Sequence, residues 1–73
     1  MRSENPTYRW LKHWERAHAS HGGWDGPATI KALRPRAITL YRLGASAEVA
    51  GAATAREWRL HSALHNAEEL AHA

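Results

Sequence analysis

Apolar positions recur at helical spacing along nearly the whole chain. From Thr7 to about Ser20, Trp10, Leu11, Trp14, Ala17 and His21 share one face, while Arg9, Lys12, His13 and Arg16 share another. This predicts an amphipathic helix. Asn5 is a capping residue type, and Pro6 suits the first helical position, where its missing N–H costs nothing. His21-Gly22-Gly23 predicts the stop, because glycine accepts the left-handed conformation that ends helices. Residues 1–5 are polar and expected to fray.

Trp24-Asp25-Gly26-Pro27 reads as a turn, with Asp25 as the cap of the next helix and Pro27 in its first turn. Ile30, Leu33, Ala37 and Leu40 keep one face, but Pro35 interrupts the run. Proline disfavours helical geometry in the residue before it and removes a backbone donor. Two short helices meeting at Arg34-Pro35 are therefore expected, with one kinked helix over 27–43 as the alternative. Gly44 closes this element and Ser46 caps the last one. From Ala47 to about Ala71 only Gly51 weakens the helical pattern, by about 1 kcal/mol relative to alanine. No run alternates with period two, so no strand is predicted. The expected fold is all-α: one domain over 1–73, a small bundle of three or four helices with a long C-terminal helix over about 46–71.

That last helix has two characters. Ala47, Gly51 and Ala55 repeat every fourth position, and small residues let helices approach closely, so this half should be the most enclosed part of the fold. Farther on, Leu60, Leu64, Ala67 and Ala71 form one apolar stripe, and Trp58 points to the other side. At about 37 Å, the helix must either outrun its neighbours or pair with another chain. Self-association through Leu60, Leu64 and Ala67 is expected.

Length sets a limit on the rest. The chain has 73 residues and no cysteine. Disulfide staples, thiolate zinc sites and a cysteine nucleophile are excluded. A core of this size is marginal. No stretch approaches a membrane span and no secretory pattern opens the chain, which predicts a cytoplasmic protein. Charge is uneven. Residues 1–43 carry eight basic against three acidic side chains, a net +5, whereas residues 44–73 carry two against four, a net −2. A basic first half suits an acidic partner, either a protein surface or nucleic acid.

Three sets of residues carry candidate chemistry. Four tryptophans are many for this length. Trp10 and Trp14 read as core; Trp24, in its turn, is the candidate for an exposed anchor, since tryptophan and arginine dominate interface hot spots. With Arg9, Lys12, Arg16, Arg34 and Arg36 it forms the expected partner-binding set. His61, His65 and Glu68 lie along one helical stripe. They read foremost as a hydrated edge; a zinc site would need them to converge, and the metalloprotease pattern is absent because Ser62 follows His61. No bound metal and no cofactor is expected. Catalysis finds no support: Ser46, Ser62, Thr39 and Thr54 lack base partners, and no phosphate loop or nucleophile elbow occurs.

The resulting expectation is a small non-enzymatic regulator, inhibitor or adaptor that binds another protein by occluding its surface. One alternative is a DNA- or RNA-binding regulator. Gly44-x-Ser46-x-Glu48-Val49-Ala50 resembles the opening of second helices in helix-turn-helix domains, within a segment over 36–60 whose recognition helix would follow a turn at Thr54-Ala55. Another alternative is an assembly protein oligomerising through the long helix.

Overall fold

In the computed structural model the described residues are 5–71 for the backbone and 5–64 for side chains. They form three helices: α1 (Pro6–Ser20), α2 (Pro27–Arg42) and α3 (Ala47–Ala71), with no strand among the described residues.

Local chemistry sets most of the boundaries. The Asn5 side chain accepts a hydrogen bond from the Thr7 N–H at 2.9 Å, and Pro6 opens α1 behind it. Asn5 thus belongs to the ordered cap. Ser46 caps α3 in the same way, its hydroxyl accepting from the Val49 N–H at 3.1 Å. Gly22 and Gly44 follow the ends of α1 and α2 with φ of +86° and +90°, a region that side-chain-bearing residues seldom adopt.

Two expectations are corrected. Residues 27–42 are one helix that runs through Pro35. The buried face formed by Ile30 and Ala37, flanked by Leu33 and Leu40, continues across the proline and holds the helix together. Lys31 and Pro35 are both exposed, so the carbonyl that loses its usual donor belongs to the solvent-facing side of the helix. The N-cap of α2 is Gly26, with no side-chain cap. A Cβ at Gly26 would collide with the Trp24 indole, and Asp25 is diverted into the space between α1 and α2.

The core sits where α1 and α2 meet the first half of α3. Trp14, Ile30, Ala37 and Ala50 are buried together, with Trp10, Leu11, Leu33 and Leu40 packed around them. Trp10 also stacks at a tilt on Tyr41 of α2, centroids 5.0 Å apart. α1 approaches α3 closely at Gly51. A Cβ there would overlap the Ala17 methyl and press to 2.7 Å on the backbone of Ala17 and His18. The small residues of α3 therefore make the close approach that their spacing predicts.

A polar cluster is buried beside this contact. Trp14 Nε1 donates to Thr54 Oγ1 at 3.0 Å, and His18 Nδ1 lies 2.9 Å from the same oxygen. His18 Nε2 is 2.9 Å from the Trp24 carbonyl, which can only accept, so Nε2 carries a proton. In the neutral ring Nδ1 then accepts the Thr54 hydroxyl proton. In the charged ring Nδ1–H donates to Oγ1, and the hydroxyl turns to the Gly51 carbonyl, 3.2 Å away. Either way no buried polar side-chain atom among the described residues is left without a partner. This cluster ties α1, α3 and the 21–26 connection together.

His21 does not join the apolar face. It is exposed, caps α1 and pairs with Glu48 at 2.7 Å, while its carbonyl accepts from Arg59. His18, four residues after Trp14, takes the buried place instead.

Candidate interaction surface

α1, α2 and the connection between them bound an open groove of about 760 Å³, with no α3 residue in its lining. Glu15 and Arg16 enter it from α1, Arg34 from α2, and Asp25 from the connection between them; Ile30 forms part of its floor. A smaller depression of about 160 Å³ shares Glu15 and Arg34 with it and extends toward Tyr8, Leu11 and Lys12. Arg34 thus links the two. Lys12 lies 3.7 Å from Glu15 and 5.3 Å from the centre of the half-exposed Tyr8 ring. That arrangement offers an aromatic face and a cation side by side.

The expected binding residues divide between two surfaces. Arg16 and Arg34 come together at the groove, and Lys12 borders it. Arg9 is exposed on α1. Trp24 immediately precedes the groove residue Asp25, and its side chain is 58% exposed. The backbone beneath it is fixed, because its carbonyl accepts from buried His18. An exposed indole on a held backbone loses little conformational entropy when it docks.

Arg36 does not join this set. It leaves the other flank of α2 and meets Glu57 of α3, with Nη2 at 3.0 Å and Nε at 3.3 Å from Oε1. The hydrogen bond that the guanidinium donates to Glu57, and then the carboxylate's charge, hold it above its already high ordinary pKa. Arg36 closes the α2–α3 pair. The sequence places it two residues from Arg34, but that spacing puts the two on different sides of a helix.

Between α2 and α3 runs a second, more apolar groove of about 590 Å³, with Ala28, Ala32 and Leu33 facing Trp58 and His61. Trp58 is half-buried there. Leu60 and Leu64 point away from both neighbours and are 56% and 66% exposed, so neither contributes to the core of the single chain. Ala67 lies where side chains are not described. The same holds for His65 and Glu68, and His61 is exposed on its own. Among the described residues no three histidine or acidic side chains gather closely enough to hold a metal ion. Residues 47–71 form one helix, so no turn separates a recognition helix at Thr54-Ala55.

His18 is the residue that the sequence argument passed over. Its signal was the Trp10, Trp14, His18 spacing, which puts an imidazole on the buried stripe. No protein family, curated protein or solved structure matches the chain.

Proposed function

We propose that this chain is a small non-enzymatic binding protein, a regulator, inhibitor or adaptor that occludes a surface of a cytoplasmic partner protein. The observation that carries this reading is the α1–α2 groove, which gathers Arg16 and Arg34 with Glu15 and Asp25, the exposed Trp24 standing one residue before Asp25 in the chain. Two charges of each sign in one groove suit a protein surface that also carries both signs, with arginines and a tryptophan as anchors. A polyphosphate backbone would meet repulsion from Glu15 and Asp25 along the same track. The surplus of positive charge in the first half of the chain steers acidic surfaces toward this side.

The test is affinity capture from lysate with nuclease and elevated salt, comparing the native chain with Trp24→Ala and with the double variant Arg16→Glu, Arg34→Glu. The expected result is a stoichiometric protein that survives nuclease and is lost with either variant. Trp24→Ala should weaken binding by about 2 kcal/mol or more, as hot-spot truncations do, with unchanged helical circular dichroism. Tight binding to random duplex that falls steeply with salt would instead support the nucleic-acid reading.

A further inference from the structure

Three buried side chains of α1 and α3 form an unbroken run of hydrogen bonds that ends beneath the exposed Trp24. Trp14 Nε1–H donates to Thr54 Oγ1 at 3.0 Å, and His18 joins that oxygen to the Trp24 carbonyl through its two ring nitrogens, each at 2.9 Å. Trp14, His18 and Thr54 are fully buried, whereas Trp24 is 58% exposed. His18 holds the connection at two further points. Its own carbonyl accepts the Gly23 N–H at 2.9 Å, and its ring lies so close to Gly23 that a Cβ there would overlap it. The Trp24 indole in turn is seated on Gly26, where a Cβ would overlap Nε1 of the ring.

We infer that His18 is a positioning residue for the interaction face: the Thr54 hydroxyl on α3 sets the His18 ring, and the ring sets the conformation in which Trp24 is presented. This rests on the reading of Trp24 as an anchor for a partner protein. The direction of the hydrogen bonds carries it. The Trp24 carbonyl can only accept, so Nε2 needs a proton to hold it. In the neutral ring Nδ1 is then the acceptor, and the Thr54 hydroxyl, which already accepts from Trp14, donates to it. With no hydroxyl at position 54, nothing selects this tautomer. The other tautomer sets the Nε2 lone pair against the carbonyl oxygen and releases the connection. Thr54 bonds to Trp14, His18 and Gly51 and not to Trp24, so its effect on the face passes through the imidazole.

Cohesion alone does not ask for this order. Buried hydrogen-bonded groups can be exchanged together for apolar ones of like shape at little cost. Docking, in contrast, gains from a connection that is already ordered, since each loose residue would have to be ordered again on binding.

Fluorine NMR of the chain carrying 5-fluorotryptophan tests the tether without a partner, the Trp24 resonance being identified by its loss in Trp24→Phe. In the native chain it should be a single line displaced from that of the free amino acid. In Thr54→Val it should narrow and move toward the free position, while Trp58, in the other groove, keeps its own. Thr54→Ser should restore it. His18→Gln, whose amide reaches the place of Nε2, should retain the native line; His18→Asn, whose amide reaches only that of Nδ1, should lose it. Circular dichroism should show the helices in every variant. The protein that the native chain retains from lysate should bind Thr54→Val about tenfold more weakly and Thr54→Ser as it binds the native chain. A Trp24 line unmoved in Thr54→Val and His18→Asn overturns the inference. Equal loss in His18→Asn and His18→Gln assigns the effect to the volume of the ring and overturns it too. So does a moved line with unchanged affinity. If the native chain retains no protein, the occlusion reading fails, and the fluorine line alone then decides whether His18 seats Trp24.

Discussion

The two halves of α3 are built from different residues, and burial does not follow their hydrophobicity. From Ala47 to Ala55 the helix carries mostly alanine, and its inward side is shut: Ala50, Thr54 and Ala55 are fully buried and Gly51 lies against the α1 backbone. From Arg56 onward the helix carries larger apolar residues, yet Leu60 and Leu64 stand in solvent. Burial here follows closeness of approach and not side-chain hydrophobicity. Small residues at every fourth position let α1 come near enough for Trp14 to reach across and for His18 and Thr54 to bond. Arg59 still reaches the His21 carbonyl, but Leu60 and Leu64, like Val49 in the first half, lie on the side of α3 turned away from α1 and α2. In so short a chain the core is made by fit, and the leucines that no neighbouring helix reaches stay exposed.

Reversing one methyl group in each half should break this contrast most visibly. In an open helix, glycine to alanine adds about 1 kcal/mol of stability. Gly51→Ala should instead destabilise by about 2 kcal/mol or more, because the new methyl presses on backbone that cannot swing aside. At the exposed Ala63, the reverse change to glycine should cost about 1 kcal/mol, the ordinary propensity difference. Urea unfolding of both variants reads the signs. Equal and opposite effects of about 1 kcal/mol would mean that Gly51 is not pressed against α1.

Thr54→Val comes next. It keeps the volume and removes the hydroxyl that serves Trp14 and His18. Leaving these buried groups without their partner should cost about 1–3 kcal/mol, seen in the same unfolding curves. Restoration by Thr54→Ser, which returns the hydroxyl, would assign the loss to the hydrogen bonds and not to packing. The smallest effect is expected at the far end. Leu60→Asp with Leu64→Asp, measured on dilute monomer, should change stability by less than about 0.5 kcal/mol, as exposed substitutions do. A large loss there would place the leucines in the core after all.

Much of the fold was legible in the sequence because short-range chemistry dictated it. Asn5-Pro6, Ser46 and the two left-handed glycines mark helix ends by local rules, and these ends lie where the rules put them. The all-helical class and the enclosed, alanine-rich stretch of α3 follow from spacing alone. Most of the departures involve tertiary partners, the cap of α2 being a local exception. Pro35 carries a local signal to break, but Ile30 and Ala37 are buried on both sides of it and the packing wins. Asp25 has the chemistry of a cap, but Trp24 occupies the ground over Gly26. Arg34 and Arg36 look equivalent as a sequence pair, and only Glu57 on another helix separates their roles. His18 was hidden for the same reason. Nothing in its neighbours announces that Thr54 and a loop carbonyl, one on a different helix, would hold both of its nitrogens.

Backbone hydrogen exchange along α3, recorded at a concentration low enough to keep the chain monomeric, tests the division of the helix most directly. Opening free energies vary along a structure with local burial. The account predicts slow exchange, close to the global unfolding limit, for the amides from Gly51 to Trp58, and a steep fall in protection from His61 onward. Uniform slow exchange to the end of the helix, or fast exchange across Gly51–Thr54, would contradict it.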